Sequence, residues 1–124
     1  MRLGFGQAVA LGVLCNALVC LAVWMTYSAR TTTGRVLVVV PPVAAFVAAG
    51  FEHSIANMYF VPLALLIRDF DPPFFGQSLH ADALGWGSFV AWNLVPVTVG
   101  NLIGGTLLVA LVYWFVYLRR PAPG

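Results

Sequence analysis

The sequence has no lysine, a single glutamate and only 8% charged residues in total. A soluble domain carries about a quarter charged residues, so this chain has too little polar surface to coat itself in water. Its 61% hydrophobic content and mean hydropathy of +0.94 fit lipid as the solvent. The basic side is equally thin. Six arginines and a net charge of +2 are too little for a nucleic-acid partner. Cysteine is scarce as well: Cys15 and Cys20 lie in one apolar run, on poorly shared helix faces and at no metal-ligand spacing. They read as small buried apolar residues. The sequence has no nucleophile–base–orienter set and no cluster of three metal ligands. An enzyme, a metal or a cofactor is therefore not expected, and a membrane acid/base enzyme built on Glu52 and His53 is disfavoured.

Residues 5–27 carry no charge. At about 1.5 Å per residue they reach about 34 Å, enough to cross a hydrocarbon core of about 30 Å. The apolar region of a signal peptide is shorter, about 7–15 residues, and this run also holds Asn16 and Trp24. It reads as a span. A polar loop with Arg30 and Arg35 follows. The next apolar stretch is interrupted from Gly50 to Asn57, giving expected half-helices over 36–50 and 58–67. Residues 68–85, with Asp69, Asp71, His80, Asp82 and Pro72-Pro73, read as an extracytoplasmic loop. As one helix, 86–118 would reach about 50 Å, too long for one crossing. Pro96 is expected to divide it into a short re-entrant or interfacial piece and a last span. The fold class is thus an all-α membrane protein, a single domain of three transmembrane segments with the middle one broken.

Arg30, Arg35, Arg119 and Arg120 flank one side, whereas Arg68 shares the other with three aspartates. The positive-inside rule puts the 28–35 loop and the C-terminus in the cytoplasm of a multi-pass inner (plasma) membrane protein. Arg2 falls on the opposite side. A chain that begins outside with no preceding helix is expected to lack something upstream. Trp86, Trp92, Tyr113, Trp114 and Tyr117 cluster near span ends, as an interfacial belt does.

The break carries the chemistry. An ionisable residue at mid-membrane costs about 2.5–3.5 kcal/mol on insertion scales, so Glu52 and His53 should face a protein interior or a water-filled path. Histidine can carry or lend a proton at physiological pH. Ser54, Asn57 and freed backbone N–H groups add neutral polar contacts. The N-terminus of the second half-helix brings partial positive charge to the same place. Facing half-helix ends are a recurrent way to hold a small ion. Alternatively, Glu52 and His53 hydrogen-bond each other as a structural clip. In the last stretch Asn93 and Asn101 lie near Thr98, and Gly100 and Gly104 give a small-xxx-small face that lets helices approach. Asn101 either lines a path or bonds across helices. Phe46, seven positions before His53, is either ordinary packing or a constriction beside it.

Gly50-Phe-Glu-His-Ser-Ile-Ala-Asn-Met58 with Pro62, and Asn93-Leu-Val-Pro-Val-Thr-Val-Gly-Asn-Leu-Ile-Gly-Gly105, closely resemble the two C-terminal signatures of the formate/nitrite transporter family. The run from Gly12 to Trp24 resembles that family's fourth transmembrane helix. The resemblance implies six transmembrane helices in two inverted repeats, with helices two and five broken, in an aquaporin-like arrangement. It implies pentamers with one pore per protomer and pH-dependent passage of formate, nitrite or hydrosulfide. The family's central pore histidine falls on His53, its pore asparagine on Asn101 and a constriction phenylalanine on Phe46. The histidine there is proposed to contact or protonate the permeating anion. Val40-Pro41, Tyr59-Phe-Val-Pro62 and Ile67-Arg-Asp-Phe70 look more like formate than nitrite channels. Only the second repeat, helices four to six, is matched. The expectation is a truncated chain, or a half that needs a partner carrying the first repeat.

Overall fold

The first uncharged run, free of proline, winds into α1, Phe5–Thr26, in the computed structural model of the chain, which describes residues 3–73 and 85–119. Its buried residues, Ala8, Gly12, Cys15 and Ala22, are all small and recur at helical spacing. That stripe lets another backbone come close. Helix α2, Thr32–Ala48, starts where the Thr31 hydroxyl accepts from the Gly34 N–H at 3.1 Å, a side-chain cap for an otherwise unpaired donor. Helix α3 spans Ser54–Phe70. The last helix, α4, runs without interruption over Trp86–Leu118. Among the described residues every regular element is helical.

The core lies between α1 and α4, whose contact runs along both helices. A Cβ on Gly100 would collide with the carbonyl of Val9, one on Gly104 with that of Val13, and one on Gly12 would sit 2.8 Å from the Val97 oxygen. Further along, Trp24 meets Tyr113 and Tyr117 edge-on, at 5.7 and 6.1 Å between ring centroids. Contacts thus advance in the same direction on both helices, so α1 and α4 run parallel. Parallel neighbours in sequence order require the chain to return between them. Helix α2, packed on α1, and α3, leaning on the first turns of α4, make that return. Small residues substitute here for the hydrophobic drive that lipid removes.

Three boundaries differ from expectation. The break is shorter than Gly50–Asn57, because residues 54–57 form the first turn of α3 instead of loop. Helix α2 begins before residue 36, at its threonine cap, and α3 runs past residue 67 to Phe70. Pro96 does not divide the last stretch. A π-helical turn over Val90–Leu94 precedes it, with the Val95 N–H reaching back to the Val90 carbonyl. The wider turn relieves the clash a proline ring makes with the carbonyl four residues earlier. Cys15 is buried as expected, while Cys20 is only half-buried. His80, Asp82, Arg2 and Arg120, and most of the loop expected over 68–85, lie outside the described residues.

If backbone contact at glycine holds α1 to α4, Gly100→Ala and Gly104→Ala should each cost about 1–3 kcal/mol, the usual range for overpacking. Gly87→Ala, where nothing lies within 4 Å of the added carbon, should not destabilise. Thermal unfolding of the three variants in detergent checks this.

Candidate functional site

The helix break is built by two caps placed back to back. Helix α2 ends at Ala48 with Ala49 as its C-cap, and Gly50 follows at φ 66°, a left-handed conformation that a side chain would strain. The Gly50 N–H returns to the Val47 carbonyl at 3.1 Å and the Phe51 N–H to that of Phe46 at 3.0 Å. This pair of bonds is a Schellman ending. Three residues later His53 caps α3. Its Nδ1 accepts from the Ile55 N–H at 3.2 Å, and its carbonyl accepts the first helical bond from the Asn57 N–H at 2.9 Å. Because Nδ1 is an acceptor, the neutral ring carries its proton on Nε2. Among the described residues Nε2 has no hydrogen-bond partner. The Phe46 ring lies 6.0 Å from the imidazole, tilted by 36°.

Asn101, halfway along α4 and buried, pins this loop from behind. Its Oδ1 accepts from both the Ser54 N–H and the Ser54 hydroxyl, each at 2.9 Å. Its Nδ2 donates to the Gly12 carbonyl of α1 at 2.8 Å and to the Glu52 carbonyl at 3.1 Å. One amide therefore spends its whole bonding capacity joining α1, the break and α3 to α4. Nearby, the Asn16 side chain donates to the Asn101 carbonyl at 2.6 Å, a second tie between α1 and α4.

The Glu52 carboxylate does not pair with His53, so the clip is not what forms. The backbone turns between the two side chains, and Glu52 Oε2 instead accepts from Asn57 Nδ2 at 2.6 Å and Asn93 Nδ2 at 3.3 Å. Asn57 Nδ2 also donates to Asn93 Oδ1 at 2.8 Å. The six sequence candidates thus gather at one place, in three roles. His53 and Phe46 sit together. Asn101 and Ser54 form one brace, and Glu52 and Asn57 form another with Asn93. Sequence reasoning missed Gly12 and Asn16, whose signal was a polar or small residue on the buried stripe of α1. It noted Asn93 without tying it to Glu52. Among the described residues no group of three His, Cys, Asp or Glu could hold a metal.

The family model described as formate/nitrite transporter matches residues 1–115. The chain belongs to the formate/nitrite transporter family. It is 50% identical to the formate channel FocA of Escherichia coli K12 over 121 residues, covering 94% of this chain and 42% of that protein. A probable formate transporter of Methanothermobacter thermautotrophicus is 40% identical over 118 residues, covering 95% of this chain and 38% of the relative. A solved pentameric formate channel with formate bound aligns at a TM-score of 0.82 and 50% identity, covering 94% of this chain and 48% of that one. The chain therefore spans less than half the length of the relatives it matches. Formate/nitrite transporters are channels and transporters, not enzymes, and the all-helical fold here is that of the formate channel.

Asn101→Leu removes four bonds. Even at the roughly 0.6 kcal/mol measured for an interhelical bond inside a membrane, the loss should exceed about 2 kcal/mol. Denaturation in detergent measures it, and hydrogen exchange at the Ser54 amide should accelerate in parallel.

Proposed function

We propose that this chain supplies one wall of a path for small monovalent anions, formate foremost and nitrite or hydrosulfide as related cargo. The observation that carries the reading is His53. Its ring is held by the Ile55 N–H, leaving Nε2–H as a donor beside Phe46. A neutral N–H donor at the N-terminus of a 17-residue helix suits a single negative charge, because the helix end contributes partial positive potential without a fixed counter-ion that would trap the anion. Lending a proton to the anion requires the imidazolium, in which Nδ1 has taken up a proton and released the Ile55 N–H, and the transfer returns the ring to its neutral form. Phe46 acts as the constriction that excludes bulk water, and Ser54 and Asn101 hold the path's backbone. Glu52 and Asn57 are half-buried and support the loop from the far side.

In the bilayer α1 crosses, α2 and α3 return as one broken span, and α4 crosses again, with the C-terminus in the cytoplasm beside Arg30 and Arg35. The parallel course of α1 and α4 supports this three-span arrangement of a multi-pass inner-membrane protein. One side of the break is open in the single chain. Helix α2 exposes Val36, Val40 and Val47, and α3 exposes Ile55, Tyr59 and Phe60. The facing wall then comes from further helices, either a partner bearing the first repeat or a longer version of this protein, within a pentamer like the solved formate channel. Alone, the chain is a non-conducting half.

Purified chain in liposomes should show no saturable uptake of labelled formate, and robust saturable flux would overturn the need for a second wall. Joined to the portion of E. coli FocA that it does not match, the chain should conduct. In that fusion His53→Phe should change the pH dependence of formate flux, and an unchanged profile would point to an assembly role only.

A further inference from the structure

We infer that Asn93 is a positioning residue for His53, acting through Glu52. Asn93 lies in the π-helical turn Val90–Leu94, one turn before Pro96. A wide turn adds less rotation per residue than an α-helical one, and π-turns recur at functional sites. Here it swings Asn93 toward the face that carries Asn101, so that α4 reaches the break at two levels. At the lower level Asn101 holds the Glu52 carbonyl at 3.1 Å. At the upper level Asn93 Nδ2 holds the Glu52 carboxylate at 3.3 Å while its Oδ1 accepts from the Asn57 side-chain Nδ2 at 2.8 Å. Glu52 is thereby fixed through both main chain and side chain by α4, and Asn57 anchors the same carboxylate at 2.6 Å from the first turns of α3. The residue next in sequence is His53. With Glu52 held on the α4 side, the imidazole is left on the opposite side with Phe46.

The chemistry of the triad sets what may replace what. A carboxylate accepts and an amide both donates and accepts, so the pair at 52 and 93 needs an amide on at least one side. Asn93→Asp puts two carboxylates within hydrogen-bond distance and removes the donor. Glu52→Gln in the same chain restores one amide and one carboxylate with their places exchanged. The inference rests on reading His53 as the anion-facing group, and its test reads ring position instead of transport, so the two fail separately.

The experiment uses the full chain in nanodiscs, uniformly labelled with nitrogen-15. Glu52 is the sole glutamate and His53 one of two histidines, so His80→Gln leaves a single ring signal. Asn93→Asp should shift the His53 ring resonances and speed amide exchange at Ser54, Ile55 and Asn57 by about tenfold or more, the loss expected for a hydrogen bond to a charged group. Glu52→Gln combined with Asn93→Asp should return both readouts toward the parent. Helical circular dichroism confirms that each variant is folded. Unchanged ring resonances in folded Asn93→Asp, or a double variant no closer to the parent than the single one, would overturn the inference.

Discussion

A backbone that leaves the helix inside a membrane exposes peptide groups with no water to receive them, and each unsatisfied group costs several kcal/mol. The structure around residues 49–53 answers that constraint. The end of α2 closes on itself through Gly50, α3 is capped by His53, and Asn101 takes up the Glu52 carbonyl and the Ser54 N–H. Without the asparagine, the Ser54 N–H and the Glu52 carbonyl would lose their partner together. The close fit of α1 against α4 serves the same end. Gly12, Gly100 and Gly104 let the helices approach until Asn101 can reach the Gly12 carbonyl.

What the break then offers is a division of labour among neighbouring polar groups. Asparagines carry the structural load because they satisfy donors and acceptors without charge. Glu52, the acidic residue of the break, is held by amides on two helices. Among the described residues His53 is only lightly committed, with one ring nitrogen used as a cap and the other without a hydrogen-bond partner. A histidine held in one orientation by a main-chain N–H is a more defined donor than one that rotates freely. That pre-organisation is what a selective passage for a small anion requires.

Much of this was legible from the residues. The uncharged run of α1 and the interruption at Glu52-His53 followed from composition and the cost of charge in lipid. The small-residue face at Gly100 and Gly104 was visible in its spacing. Three features were not. The start of α3 at Ser54 depends on Asn101, 47 positions away, which no local pattern reveals. The continuity of α4 through Pro96 depends on a π-turn that hydropathy does not encode. The choice of Glu52 for Asn57 and Asn93 over adjacent His53 is set by backbone direction at the break, and adjacency in sequence pointed the wrong way.

In the proposed function His53 is fixed as the Nε2–H tautomer by the Ile55 amide and presents that hydrogen to the anion. Nitrogen-15 spectra of the histidine ring, recorded on the chain in nanodiscs above the histidine titration range with His80→Gln for assignment, test it most directly. The expected result is a protonated Nε2 and an unprotonated, hydrogen-bonded Nδ1 coupled to the Ile55 amide. A neutral ring protonated on Nδ1, with no coupling to Ile55, would contradict it.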